Sequence, residues 1–424
     1  MQTHAILRVN SASVAISLAL SLGWLPVQAA ELKAGTVIEK SNIDAIKNDT
    51  FDGHTVASLL TEKVEWQIRE WGLRITLDHA KPIPLDPRFA AATKKYSDQV
   101  KFDTNSKEIT GYVAGYPFAD ISSKDPDAAY KLVWNFYYAP NMGDVFYNKY
   151  FVLGISADRG LETKQDWVLM RYYMKNRLLA DKPVAGDGTE IVRTINLGLG
   201  PEDVKGIGTL SVRYDAARFD DYWAYLKTAR RIRRLSGGAW MDPVGGSDIL
   251  NDDLDLINAR PSWYKSMKLL GKRWILAVSD AREDIWNPAK KGTPEEFPAI
   301  DIKNFPHWNP IQKWQPREVY VVEATPPPEH PYSKRMLYMD VNYYRPYYTE
   351  NYDKKGDFWK FVNGHARPIV SEGGLKMVAL LSMDFIDFKS KHATSVPIYG
   401  HRADPKGVVT MEQFTLGGLE QLSR

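Results

Sequence analysis

Between Arg317 and Val362 the apolar and aromatic residues come in short runs, each closed by residues that a strand tolerates poorly. Val319 to Val322 is a β-branched run that ends before Pro326, Pro327 and Pro328, which donate no ladder hydrogen bond. Met336 to Met339 follows and halts at Asp340-Val341-Asn342. A third run carries Tyr343, Tyr344, Tyr347 and Tyr348. Asp353-Lys354-Lys355-Gly356 turns it into Phe358 to Val362, with Gly356 where a positive φ is needed. Runs joined by turns this short predict antiparallel neighbours, and so a meander rather than a nucleotide-binding α/β unit.

The same pattern extends upstream. Phe151 to Ile155, Trp167 to Lys175, Glu190 to Leu197, Val204 to Tyr214, Phe219 to Leu226 and Arg230 to Leu235 follow one another with Gly, Asp and Pro between them. Short strands at that spacing predict a large antiparallel sheet. Before residue 140 the period changes. Val56, Leu59, Leu60, Val64 and Ile68 recur at helical spacing inside Thr55 to Trp71. Phe89 to Val100 and Asp127 to Tyr138 read as further helices, the second opened by Pro126. Lys81 to Arg88, with three prolines, reads as extended, and Glu108 to Val113 as a strand. Leu254 to Leu270 is expected to hold a short helix, Trp274 to Val278 a strand, and Asp284 to Pro316 an irregular Pro-rich stretch. Lys376 to Phe388 closes the series. The expectation is a β-rich α+β protein, one domain over 30–424 with an N-terminal helical elaboration over about 30–140.

Composition narrows the setting. Arg8 followed by an apolar stretch from Val14 to Leu25 and small residues near Ala29 predicts a cleaved export signal over residues 1–29, too short to span a bilayer. The mature chain is then expected in the periplasm. Cysteine is absent from the 424 residues, which removes both disulfides and a lipid-bearing cysteine anchor. A net charge of +3 argues against a nucleic-acid partner, whose footprint needs a concentrated basic surface.

Candidate chemistry is sparse. His54, His79, His307, His330, His365, His392 and His401 are not paired at ligand spacing, so no metal and no cofactor is expected. Asp252, Asp253 and Asp255 lack the glycine and terminal glutamate of a calcium loop and read as a solvated turn. Ser247 lacks the second glycine of a nucleophile elbow, and Gly198-Leu199-Gly200 has no following helix. No catalytic residue is expected. Arg230, Arg231, Arg233 and Arg234 would fall on both faces of a strand, paired in part with Asp220 or Asp221. They serve either as a charged edge guard or as a docking patch for an anionic headgroup or an acidic partner. Aromatics make up 12% of the chain, and Trp263 adds to a set of large rings on or near the predicted strands: Trp223, Tyr225, Trp240, Trp274, Tyr338, Tyr343, Tyr347 and Trp359. A curved sheet would place these eight around an apolar hollow.

Several motifs resemble the LolA/LolB-type lipoprotein-sorting superfamily, in particular a large periplasmic branch known only as a domain of unknown function. They are the Glu323-Ala324-Thr325-Pro326 strand end, Pro331-Tyr332-Ser333-Lys334-Arg335, the aromatic strand with Pro346, and Tyr352-Asp353-Lys354-Lys355-Gly356. Gly111 to Phe118, Trp134-Asn135-Phe136, Arg230 to Gly238, Asp242 to Asp248 and Lys391 to Thr394 follow in the same order, so the resemblance spans roughly residues 80 to 395. It implies an incomplete antiparallel β-barrel wrapping helices, with a cavity that shields an acyl chain. It also implies non-enzymatic binding and shuttling of a lipid or other hydrophobic molecule to or from the outer membrane. The partner would be an RND-type transporter or an outer-membrane protein, with only transient membrane contact. A secreted carbohydrate-binding or hydrolysing protein, or a scaffold of an envelope complex, would use the same aromatics differently.

Overall fold

The computed structural model describes Met1 and residues 29–140, 142–227, 230–235 and 239–424. The export signal expected over 1–29 lies almost wholly outside the described residues, as do Ser236, Gly237 and Gly238. Among the described residues, thirteen antiparallel strands make one sheet from two meanders. The N-terminal meander runs β3 (Val145–Ser156), β4 (Gly160–Tyr173), β5 (Glu190–Gly200), β6 (Gly208–Tyr214), β7 (Asp221–Leu226) and β8 (Arg231–Leu235). The C-terminal one runs β9 (Ser266–Ala277), β10 (Lys313–Thr325), β11 (Lys334–Asp340), β12 (Pro346–Tyr352), β13 (Phe358–Val370), β14 (Lys376–Asp387) and β15 (His392–Ala403). Two short strands, β1 (Val37–Ile38) and β2 (Ile75–Leu77), attach through β2, which runs parallel to the start of β10.

The seam between the meanders is β15 against β3, where Thr394 pairs with Gly154 and Ser395 with Leu153. The hydrophobic pattern does not announce β15, because Pro397 interrupts it. The structure resolves the conflict locally: pairing to β3 skips from Ser395 to Ile398, so the proline lies where no N–H is required of it. The short helix expected within Leu254 to Leu270 is a single 3₁₀ turn at Pro261–Trp263 and not an α-helix. Short 3₁₀ turns at Asn251–Leu256 and Pro261–Trp263 precede β9, which pairs with β10 along Ser266–Ala277. Pro261 cannot donate within a helix, and the ladder with β10 captures the apolar residues after it.

The helices are α1 (Ile43–Ile46), α2 (Val56–Leu59), α3 (Glu62–Glu70), α4 (Pro87–Tyr96), α5 (Ala128–Tyr138) and α6 (Leu416–Ser423). The single helix suggested over Thr55 to Trp71 is two, broken at Leu60. Thr55 caps one and Thr61 the other, each hydroxyl accepting a backbone N–H three residues on. Asp86 caps α4 and Pro87 fills its first position.

The sheet is open but strongly bent. One apolar cluster joins α5 to Tyr173 of β4, Ile191 and Val192 of β5, Met267 of β9 and Val322 and Ala324 of β10. In the sheet order β9 and β5 are nine strands apart, about 43 Å in a flat sheet, whereas α5 is only about 16 Å long. Strands so distant share one cluster only because the sheet curves around the helix. α5 is accordingly buried on nearly every side, and Trp134 and Asn135 are fully enclosed. Leu337 and Met339 of β11 turn to this inner cluster, and Tyr338 between them turns to the outer face. α6 packs outside β5 to β8, and Leu419 on it joins the preceding Phe414 in one cluster with Val168, Met170 and Ile195. The result is a β-rich α+β fold, a curved antiparallel sheet that stops short of a closed barrel.

Candidate ligand site

Beside α5, the inner face is occupied by the segment that follows β8. Asp252 and Asp253, expected on a solvated turn, are fully buried. The reason is Arg335 of β11, itself fully buried, whose guanidinium lies 2.7 Å from Asp252 and 3.0 Å from Asp253. It also donates to the Asn351 side chain and to the Asp252 and Leu256 carbonyls. Burial alone would raise the Asp252 carboxyl; Arg335, His330 and the Tyr264 hydroxyl together hold it down at about 2. Tyr332 donates to Asp253 at 2.8 Å. Two acids, one arginine and two tyrosines thus pin the 251–264 segment inside the sheet. Asp255 is half-buried and paired with Arg171 at 2.7 Å. The legible signal is Arg335, a cation directly before the apolar run Met336 to Met339 of β11.

Where this segment meets the turn between β6 and β7, a shallow recess opens, with a volume of about 20 Å³, so it is a surface notch and not the acyl-chain hollow expected from the sequence. Phe219, Tyr222, Trp240 and Trp263 form its apolar wall, and Arg213, Asp220 and Asn258 its polar side. Trp263 meets Phe219 at 5.0 Å and Trp240 at 5.6 Å between ring centroids. Phe219 is 48% exposed, a large ring left at the rim. The polar side is internally matched. Arg213 donates to Asp220 at 3.1 Å and to the Asn258 side-chain oxygen Oδ1 at 2.9 Å, and its guanidinium sits 5.0 Å over Tyr137 of α5. Burial pushes the Asp220 carboxyl up, against the pull of Arg213. The recess is thus lined about equally by polar and apolar groups, and its acid is paired with its arginine.

The eight aromatics expected around a hollow do not share one wall. Trp240 lines the recess. Trp223 and Tyr225 of β7 belong to the outer cluster under α6. Tyr338, Tyr343 and Tyr347 are core residues, the last two joined hydroxyl to hydroxyl at 2.6 Å, with Tyr347 donating to Asp340 at 3.0 Å. Trp274, on β9, is 38% exposed and stacks on His54 at 4.4 Å. Trp359 is half-buried and donates to Asp387 at 2.8 Å. Phe219, Arg213 and Asn258 escape a sequence reading, because only the β6–β7 turn brings them to Trp240.

Arg231, Arg233 and Arg234 lie on β8, at the end of the sheet, with Arg230 just before it; among the described residues β8 pairs only with β7. Arg234 forms an ion pair with Asp221 and lies 6.0 Å over the Trp223 ring. Arg230, Arg231 and Arg233 are exposed, with no ion-pair partner among the described residues.

A second polar feature lies on the outer face under α2 and α3. Tyr338, Tyr348, Asn363, Asp384 and Ser395 pair in one row across five strands, all buried. His365 sits 3.3 Å from Asp384, and Ser395 donates to the same carboxyl at 2.6 Å. Glu350, beside the row, accepts from Tyr338 and Tyr352 at 3.1 Å each, and burial raises its carboxyl. No group of three or more metal-ligating side chains occurs among the described residues, and no described helix is long and apolar enough to cross a membrane.

A family model for a protein of unknown function, DUF1329, matches residues 37–417. Among solved structures the chain is similar to a DUF1329 family protein from Desulfovibrio piger, at 16% identity over 65% of this chain and 92% of that one, TM-score 0.45. It is also similar to a domain assigned to outer membrane lipoprotein sorting in Vibrio parahaemolyticus, at 17% identity over 65% and 91%, TM-score 0.42. A LolA superfamily protein from Nitrosomonas europaea aligns at 14% identity over 64% and 90%, TM-score 0.37. No curated protein matches the chain at a significant level.

Proposed function

Since the chain belongs to the DUF1329 family of unknown function, we propose from its own geometry that it is a non-enzymatic carrier, binding an apolar molecule in the periplasm and shuttling it to or from the outer membrane. The observation that carries this reading is the recess, where the exposed Phe219 and the half-buried Trp263 lie over the buried Trp240 beside a matched polar pair. Burying hydrocarbon there stabilises the complex by about 0.8 kcal/mol per CH₂. Release requires a state in which that surface is withdrawn, since a ligand shifts only equilibria in which it discriminates between states. In this reading a membrane-embedded exporter of the RND type supplies or receives the cargo.

The test is native mass spectrometry of the protein purified from the cell envelope, followed by organic extraction. An extractable apolar molecule at near-stoichiometric amount, lost in Trp240→Ala/Trp263→Ala, is the expected result. Soluble glycan binding with nothing extractable would point to carbohydrate recognition on the same rings.

A further inference from the structure

We propose that the cargo is an amphiphile with an anionic headgroup, its apolar part in the aromatic recess and its charge on Arg231 and Arg233. The inference rests on the carrier reading and adds the polarity of the ligand. Its basis is the register of the last two strands. Tyr222 pairs with Leu235, Ala224 with Arg233 and Leu226 with Arg231. Residues directly opposite one another share a face, so Arg231 and Arg233 stand on the side of the sheet from which Tyr222 lines the recess. Arg233 is the diagonal neighbour of Tyr222, about 7–8 Å away and within reach of a long side chain. Arg234, paired with Trp223, stands on the opposite side.

The two sides are treated differently. Arg234 has its acid, Asp221, and a ring to lie on. Arg231 and Arg233, two residues apart on one face, have no ion-pair partner among the described residues, and both are exposed. The acid nearest the recess, Asp220, is already held by Arg213. An edge guard explains charge on a terminal strand, but it does not explain why only the face away from the recess carries a counterion. A carboxylate or phosphate at the end of an acyl chain meets both requirements. Its tail covers the exposed Phe219 ring and the half-buried Trp263 and Tyr222, and its head takes the forked donors that guanidinium groups present.

The experiment is titration of the full mature protein with decanoate, decyl phosphate, decyl maltoside and inorganic phosphate, each below its aggregation threshold, read by calorimetry. Decanoate and decyl phosphate are expected to bind at least tenfold more tightly than decyl maltoside, with inorganic phosphate weaker than either. Arg231→Gln/Arg233→Gln should bring the anionic compounds to the affinity of the neutral one, while Arg234→Gln leaves the preference intact. Equal binding of charged and neutral compounds, or an unchanged preference in the double variant, overturns the headgroup assignment alone. Failure of every decyl compound to bind overturns the carrier reading beneath it. Inorganic phosphate as tight as decyl phosphate would show that the tail contributes nothing, and that too defeats the proposal.

Discussion

His365 and Asp384 face each other across β13 and β14 with Nε2 3.3 Å from a carboxylate oxygen, and burial inverts their protonation. Desolvation raises the Asp384 carboxyl to about 7, against the Ser395 hydrogen bond, and drops the imidazole to about 3. In the folded protein between those limits the aspartic acid holds the proton. In the unfolded chain, where their ordinary values of 3.8 and 6.5 apply, the histidine holds it. The number of bound protons is therefore nearly the same in both states from about pH 4 to 6.5, and the pair adds almost no pH dependence to stability.

Single substitutions uncover the two opposing slopes. With Asp384→Asn, the remaining imidazole is neutral when folded and charged when unfolded, so stability relative to the parent falls as pH drops from 6.5 toward 4. With His365→Gln, the remaining carboxyl is protonated when folded and ionised when unfolded, so relative stability falls as pH rises from 4 toward 7. Each slope approaches about 1.4 kcal/mol per pH unit, and denaturant melts across that range measure it. Parallel curves for parent and variants would refute the inversion.

Arg335 neutralises two buried carboxylates, so its loss strands charge in the interior. Arg335→Met should destabilise the protein by about 3–5 kcal/mol. Adding Asp253→Asn to that variant should recover part of the loss, because one fewer anion is left unpaired. Urea denaturation of the two single variants and the double variant gives the coupling.

Phe219 separates binding from folding. Because its ring is half in solvent, Phe219→Ala should change stability by no more than about 0.5 kcal/mol. The amount of apolar molecule that co-purifies should nonetheless fall severalfold. Thermal melting beside organic extraction checks both halves.

Two glycines test how a turn uses the missing Cβ. Gly356 has φ +86° with open space around it, so Gly356→Ala should cost only the left-handed backbone, about 1–2 kcal/mol. Gly115, at φ +75°, would set a Cβ 2.3 Å from the Thr93 backbone nitrogen on α4. Gly115→Ala must therefore displace α4 as well, and the loss measured by circular dichroism should clearly exceed that at Gly356.

What the sequence disclosed follows from how local each signal is. The meander from Val319 to Val362 was legible because its turns are short and their residues chemically specific, Gly356 included. Strand ends were underestimated: Val319 to Val322 proved to be the middle of Lys313–Thr325, since polar residues at half-covered positions look like loop. Pro397 hides β15 from a hydrophobic pattern, and the helix expected within Leu254 to Leu270 shrinks to a 3₁₀ turn because the residues after it pair with a partner some fifty residues downstream. For the site, only Trp240 of the eight rings expected around a hollow reaches the recess. Aromatic content announces burial, but the face on which each ring is buried depends on register, which no single strand encodes. Asp252 and Asp253 were misplaced for a related reason, as their counterion lies more than eighty residues away.

The seam formed by Gly154 and Thr394 joins positions separated by more than half of the chain. Closing so long a loop is an entropic burden that local turns do not relieve, so assembly must wait for the last strand to emerge. A nascent chain halted after Asp387 would hold two half-built sheets, each with a long naked edge ready to pair with a neighbouring molecule. Holding the chain unstructured until synthesis ends is thus a condition for its yield, and C-terminal truncations should partition into inclusion bodies rather than into a smaller folded form.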